Sequence, residues 1–257
     1  MNVFSVMYHD VVEAGAWDSS GFPGDGAAVY KLEHTEFGRH LDAIAAAGVR
    51  VCRATEPLVD GSAMLTFDDG GVSAHLLAAE MLEQHGWAGH FFVTTDRIGT
   101  AAFLSREQIQ DLRRRGHVIG SHSCSHPARM AQCTREELQR EWRESTRVLE
   151  DILGEPVPVA SVPGGYYSRL VGETAAEAGI RVLFNSEPTA AVSRAGECVL
   201  LGRYFIQRGM PAGISGAFAA GRFGPRWKQS AFWEIKKVAK AVGGKAYLSV
   251  RERLLKR

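Results

Sequence analysis

The stretch Ala63-Met64-Leu65-Thr66-Phe67-Asp68-Asp69-Gly70 decides how this chain is read. Five apolar or β-branched residues make a buried strand that runs without a break into two carboxylates and a glycine turn. Ser73 to His85 then has helical periodicity and stops at Gly86, and His90 to Thr94 is a strand again. Strand, polar turn, helix, strand with short connections is the unit of a parallel sheet. In such a sheet the residues just after the strands gather on one face.

The same alternation extends in both directions. Towards the amino terminus, Val3 to Tyr8 is a strand, followed by a Gly/Ser/Asp/Pro-rich loop from Glu13 to Gly26 and a helix from Glu36 to Ala47 ended by Gly48. A loop of that length in a compact domain is often functional. Towards the carboxyl terminus come helix Ser105 to Arg115, strand Val118 to Ser121 and a long helix from Thr134 to Leu153. Thr134-Arg135-Glu136-Glu137 is a capping box, and Gly154 with Pro156 stops that helix. Pro158 to Val162 and Arg181 to Asn185 are strands around helix Ser168 to Ala178. The pattern predicts an α/β domain over 1–221 whose parallel sheet is either open or closed into a barrel, and the polar clusters sitting just after strand ends favour the barrel.

Residues 222–257 are a different kind of segment. They hold eleven Lys/Arg against two acids, +9, while residues 1–221 hold nineteen against twenty-seven, −8. Arg226 to Val242 places Phe232, Ile235, Ala239 and Val242 on one helical stripe with Lys236, Lys237 and Lys240 elsewhere, and Trp227 and Trp233 nearby. Such a basic helical extension either packs on the barrel, the reading favoured here, or makes peripheral contact with an anionic membrane surface. No recognition module for nucleic acid accompanies the charge.

At 45% apolar and 23% charged, the composition excludes disordered, collagen-like and coiled-coil chains. No apolar run is long enough for a membrane span, and the first residues lack the basic start of a secretory signal, so the expectation is a cytoplasmic protein. Cys52, Cys124, Cys133 and Cys198 lie far apart with no Cys-x-x-Cys, which suits reduced thiols.

Three polar clusters follow predicted strands. In the first, adjacent Asp68 and Asp69 can divide labour, one ligating a cation while its neighbour accepts a proton from water; Asp-Gly is also an ordinary turn dipeptide. In the second, Gly120-Ser121-His122-Ser123-Cys124-Ser125-His126-Pro127, two imidazoles four residues apart can point at a common centre. Cys124 is either a soft competing ligand or simply buried, and burial is the favoured reading. In the third, Ser161-Val162-Pro163-Gly164-Gly165-Tyr166-Tyr167, a glycine pair lets backbone N–H groups approach an oxyanion, or is a plain loop. His9, which closes the first strand, either faces the same pocket or is a hydrogen-bonded structural histidine, and Glu187, after a later strand, reads first as a solvated loop carboxylate and otherwise as a residue lining the site. His85, His90 and His117 read as structural.

Thr-Phe-Asp-Asp-Gly, Gly89-His-Phe-Phe-Val-Thr-Thr95, His122-Ser-Cys-Ser-His126-Pro and Pro163-Gly-Gly165, in this order, resemble the polysaccharide deacetylase family, metal-dependent carbohydrate esterases that share the nodulation-factor deacetylase homology domain. Met7-Tyr8-His9 and Leu149 to Gly154 are also similar, so the resemblance spans about residues 3–190. It implies a deformed (β/α) barrel. It also implies that Asp68 is the general base, that Asp69, His122 and His126 hold a divalent metal, usually zinc, and that the Gly164 N–H helps bind the oxyanion. Tyr166 and Glu187 then become candidate substrate contacts. The expected activity is removal of N-acetyl groups from an amino sugar in a poly- or oligosaccharide. The alternatives are hydrolysis of another non-peptide C–N bond and saccharide binding without turnover.

The chain departs from that pattern twice. The family usually has Arg, which positions the base, where Ser161 stands. A late Leu-x-x-His that supplies the acid is missing, since all nine His lie at or before position 126. The reading therefore assigns proton donation to Asp68 itself, assisted by His9.

Overall fold

The computed structural model describes residues 1–165 and 167–235 of the chain. Its first half contains β1 (Phe4–Tyr8), β2 (Val11–Val12), the single turn α1 (Asp25–Ala28), β3 (Leu32–Glu33), α2 (His34–Ala46), β4 (Ala63–Phe67), α3 (Ala79–Glu83), β5 (His90–Val93), α4 (Arg106–Arg114) and β6 (Val118–Ser121). Then come α5 (Arg135–Leu153), β7 (Val159–Ser161), α6 (Arg169–Glu177), β8 (Val182–Phe184), β9 (Ser193–Ala195), β10 (Cys198–Leu201), β11 (Arg203–Phe205), α7 (Gly213–Ala219) and a carboxyl-terminal helix over 223–235.

Nine strands form one sheet in the order β11-β1-β4-β5-β6-β7-β8-β10-β9, parallel throughout except for the β9–β10 pair. Closure comes from one stretch of chain. β10 lies beside β8, and after Gly202 the next strand, β11, lies beside β1, so residues 198–205 bridge the gap between the first and last strands of the alternating series. Gly202 is required because a Cβ there would come within 2.3 Å of the Glu187 carbonyl oxygen. The result is an α/β fold with a deformed barrel, as the family resemblance implied. Sequence reading did not anticipate β9 to β11. They are three or four residues each, and Gly202 and Arg203 interrupt their apolar run.

Strand alternation sorts the core. Phe4, Val6, Tyr8, Leu65, Phe67, Phe91 and Val93 face the helices, together with Phe37, Leu41 and Ile44 of α2. The alternate set, Met64, Phe92, Val118, Val159, Val182 and Leu201, fills the other side of the sheet. Two residues further along each strand, the period of two delivers Thr66 and then Asp68, Gly120 and then His122, Ser161, and Arg203 to that same side. The barrel interior is thus apolar at one end and polar at the carboxyl ends of its strands.

Helix boundaries follow local chemistry. Capping boxes at Ser105/Gln108 and Thr134/Glu137 open α4 and α5, and Gly154, in the left-handed conformation, ends α5. The helix expected over Ser73 to His85 begins as a π-helical turn, Ala74–Ala78, before α3. That widened turn starts just after Ser73, whose hydroxyl donates to Asp10 Oδ1 and accepts from the Val11 N–H. The 13–26 loop is held down from beneath. The buried Lys31 ammonium donates to the carbonyls of Trp17, Ser20 and Phe22, at 2.6 to 2.7 Å.

The carboxyl-terminal helix docks through polar groups. The buried Gln229 amide accepts from the Phe205 N–H and donates to its carbonyl, Arg226 donates to the Tyr204 hydroxyl, and Ser230 donates to the Pro188 carbonyl. The apolar stripe read as a packing face does not face the barrel where it is described: Ile235 is 68% exposed and Phe232 46%, as are Phe223 at 76% and Trp227 at 59%. Polar anchors outcompete the stripe because the Phe205 N–H and carbonyl, on the outer edge of β11, are both matched by the one Gln229 amide. Ala239, Val242 and the lysines at 236, 237 and 240 lie outside the described residues.

Candidate active site

Asp68 and Asp69 extend β4, and His122 extends β6, so both arrive at the same end of the barrel as neighbours across β5. The Nε2 atoms of His122 and His126 lie 3.4 and 3.5 Å from one oxygen, Oδ1 of Asp69. One ligand atom from each of the three residues falls within 4.8 Å of the others, the only such cluster among the described residues. Asp69, Ser123 and His126 all have positive φ, 75°, 62° and 60°. Left-handed backbone at non-glycine residues costs free energy and persists where surroundings over-determine it. Three of the four such residues described lie in this one site.

The surroundings that impose this turn are visible. Glu141, buried in α5, accepts from the N–H groups of Cys124 and Ser125 through Oε2 and from the Ser125 hydroxyl through Oε1. Ser123 Oγ accepts from the His126 N–H. On the outer side, Phe22 of the 13–26 loop packs against the His126 ring at 4.9 Å, and the Arg97 guanidinium stacks on Phe22.

These residues fit a divalent cation. His122 Nδ1 engages the Ser161 hydroxyl at 2.6 Å and its carbonyl at 3.2 Å. A carbonyl only accepts, so Nδ1 carries a proton, and in the neutral ring that a metal binds the Nε2 lone pair faces Asp69. Burial first, and then the neighbouring His122, push the His126 imidazole down to about 4, so it is neutral at physiological pH. Asp69 is held below the usual carboxylate range: burial works to raise it, but at the acid pH where it would titrate the protonated imidazoles beside it, His122 first, prevail. One carboxylate and two neutral imidazoles make a donor set for zinc or another borderline cation.

Asp68 is fixed differently. Arg203, fully buried, forms a bidentate pair with it, Nη1 to Oδ1 at 2.6 Å and Nη2 to Oδ2 at 2.8 Å. The Ser161 hydroxyl donates to Oδ1 at 3.0 Å. A carboxylate offers about four acceptor positions. With three taken, one remains on Oδ2. Burial alone would raise this carboxyl, yet the charges of Arg203, His122 and His9 hold it well below the ordinary range and therefore ionised.

The other candidates stand in different relations to this centre. His9 follows β1, stacks on Tyr30 at 4.8 Å, and acts electrostatically on both carboxylates; its Nδ1 is buried without a hydrogen-bond partner. Gly164 sits in the turn Pro163–Gly165 just after β7, and it and Gly165 adopt φ of 62° and 69°. Tyr166 lies outside the described residues. Glu187 lines a cavity of about 270 Å³ with Pro188, Thr189, Ser230, Trp233 and Glu234, between the segment after β8 and the carboxyl-terminal helix. Cys124 is a buried thiol donating to Asp96 Oδ1 at 3.0 Å, pushed up to about 12 by burial, and it stands outside the cluster of Asp69, His122 and His126.

Sequence reading missed Arg203 and Glu141. Each left a signal: a lone charge inside Leu200-Leu201-Gly202-Arg203-Tyr204-Phe205, and a carboxylate on the Leu138, Trp142, Ser145, Leu149 face of α5.

Comparison with known proteins bears on the family and the fold. A profile of the family described as Polysaccharide deacetylase matches residues 56–183. YxkH of Bacillus subtilis (strain 168), whose name places it among polysaccharide deacetylases, is 26% identical over 155 residues, 60% of this chain and 55% of that protein. A 30.6 kDa protein of Geobacillus stearothermophilus is 27% identical over 124 residues, 47% of this chain and 44% of its own length. The chain thus spans about half the length of the curated relatives it matches. Among solved structures, the deacetylase PplD of Streptococcus pyogenes, in complex with acetate, superposes with a TM-score of 0.68 at 19% identity, covering 82% of this chain and 95% of that one. IcaB from Ammonifex degensii gives a TM-score of 0.69 at 21% identity, covering 86% and 97%. These structures share the fold; the ordered motifs and the profile match carry the resemblance, and residues 56–183 match the polysaccharide deacetylase family.

Proposed function

We propose that this chain is a metal-dependent hydrolase that removes N-acetyl groups from an amino sugar in a poly- or oligosaccharide, with a place in exopolysaccharide or cell-envelope saccharide biosynthesis. The observation that carries the reading is the division of labour between adjacent carboxylates. Asp69 faces two imidazoles, while Asp68 is turned away, ionised, with one acceptor position left open. Asp69, His122 and His126 would hold the cation, and zinc suits that donor set. When bound, a divalent cation polarises a carbonyl and acidifies water. Asp68 takes the proton of the attacking water, and the Gly164 N–H, in a turn open to close approach, helps hold the developing oxyanion. The amine then needs a proton to leave as acetate departs. Asp68 returns the one it accepted, and His9, facing both carboxylates, assists. Acetate bound to PplD of Streptococcus pyogenes is the product such chemistry yields.

Substrate contacts by Tyr166 and Glu187 belong to the same reading, and so does peripheral contact with an anionic membrane through 222–257, which would bring the site to a lipid-carried saccharide at the inner face of the membrane.

The test is acetate release from N-acetylated oligosaccharides by the wild type and by Asp68→Asn. The substitution keeps the shape of the side chain and removes the proton acceptor, so turnover falls about 10²–10⁴-fold while elemental analysis still finds one divalent metal per chain. Wild-type turnover in Asp68→Asn removes Asp68 as the base, and activity that survives complete metal stripping removes the metal-dependent reading.

A further inference from the structure

Arg203 lies outside the segment that matches the family profile, 56–183, and comes from the strand that closes the barrel. It is fully buried and all of its side-chain nitrogens are engaged. Nε donates to the Asn185 carbonyl at 3.0 Å, Nη1 to Asp68 Oδ1 and to Thr66 Oγ1, at 3.4 Å, and Nη2 to Asp68 Oδ2. The guanidinium also stacks over Phe92 at 5.9 Å. A planar fork held at its root by a backbone carbonyl and on one face by an aromatic ring has one orientation, and it transmits that orientation to the carboxylate it grips.

Asp68 has no such constraint of its own. It is the first residue beyond β4 and precedes a residue with φ of 75°. Ser161, where the sequence pattern leads one to expect an arginine, carries only a short hydroxyl that spans His122 Nδ1 and Asp68 Oδ1. That bridge ties the two residues together and leaves Oδ2 ungripped. Arg203 alone holds both oxygens and so determines which lone pair of Oδ2 faces the site.

We propose that Arg203 is the positioning residue of Asp68, delivered by β11, so that the segment 198–205 both closes the barrel and aims the proton acceptor. The inference rests on the deacetylase reading only for its kinetic test. Its structural consequence stands apart from activity. Moving Ser161 and Arg203 in opposite senses also follows: an arginine side chain rooted at 161 can enter the space that Arg203 vacates beside Asp68, while His122 Nδ1 keeps the backbone carbonyl of residue 161 as its acceptor.

The experiment compares full-length wild type, Arg203→Lys, Arg203→Ser and the double variant Arg203→Ser/Ser161→Arg, each loaded with zinc. Kinetics use short N-acetylglucosamine oligomers, and crystal structures of the variants report the Asp68 side chain. Arg203→Ser lowers kcat about 10²-fold with KM and metal content unchanged, because a misdirected acceptor costs rate and not binding. Arg203→Lys, a point donor in place of a fork, falls between it and the wild type, and the double variant regains part of the loss. The structure of Arg203→Ser, or of Arg203→Lys if the serine variant does not fold, shows Asp68 rotated from its wild-type position. Asp68 unmoved in the folded variant, or kcat unchanged, overturns the proposal. A loss that tracks metal content overturns it as well, since Arg203 would then be a structural residue of the metal centre. If the wild type releases no acetate from the oligomers, the deacetylase reading fails and the Asp68 rotamer alone decides the role of Arg203.

Discussion

At the scale of single residues, the site works by separating two chemically identical side chains. Asp68 and Asp69 are neighbours in sequence, yet the left-handed backbone at Asp69 turns them to different partners, an arginine in one case and two imidazoles in the other. His9 is the residue whose role depends most on this arrangement. It follows β1 and acts electrostatically on both carboxylates, its ring packs on Tyr30, and its buried Nδ1 has no hydrogen-bond partner. If it assists proton donation, His9→Ala lowers kcat on N-acetylated oligosaccharides by about 10²-fold or more with metal content unchanged. Full activity in that variant leaves Asp68 or solvent as the donor. Residues 9, 68, 69, 122 and 126 were all legible in the sequence, because a histidine or paired carboxylate at a strand end is visible in a linear pattern. Arg203 was not, because its partner is 135 positions away.

Elements add constraints that no single residue shows. β5 carries His90, buried and bonded at both nitrogens: Nδ1 lies 2.9 Å from the Leu65 carbonyl, and Nε2 accepts from the Ala54 N–H at 2.9 Å. Protonating Nε2 would set two donors against each other, and burial, the larger cause, pushes this imidazole down to about 4. The sign follows from linkage. The unfolded chain takes up a proton near the ordinary value of 6.5 while the folded chain does not, so stability is full above about 6.5 and declines as pH falls towards 4. Between pH 7 and pH 4.5 the loss from this residue is about 2–3 kcal/mol. Urea unfolding of wild type and His90→Gln at both pH values measures it: the pH-dependent loss should be smaller in the variant by about that amount, and equal losses would refute the assignment. α5 acts in the same way on the site. Its apolar face packs the helix, and the one carboxylate on that face, Glu141, ties down the turn that holds His122 and His126. Helices and strands with clear periodicity and caps were read within a residue or two; the π-helical start before α3 was not, since Ser73 is pinned by Asp10 and Val11, contacts made only in the folded chain.

For the molecule as a whole, charge and exposed apolar surface coincide at one end of the chain. Among the described residues no helix is long and apolar enough to cross a membrane. The helix over 223–235 docks by Arg226, Gln229 and Ser230 and leaves Phe223, Trp227 and Ile235 facing outward, within a 222–257 segment of net charge +9. Interfacial aromatic burial and attraction to anionic lipid act together in such a segment. Sedimentation with phosphatidylserine-containing vesicles at low salt should therefore carry down the full chain, with binding lost at high salt or on Phe223→Ser/Trp227→Ser. Equal sedimentation by wild type and this variant would remove the idea. The sequence by itself determined the parallel α/β alternation, the face on which the polar clusters meet and the three candidate metal ligands, because periodicity, caps and strand-end motifs are local and each is complete within a few residues. Tertiary structure alone decided how the barrel closes, which arginine grips Asp68, why the His122–His126 turn holds its strained shape, and which face of the last helix is buried. Each of these depends on groups far apart in the chain, whose pairing is settled only when the whole sheet has placed them side by side.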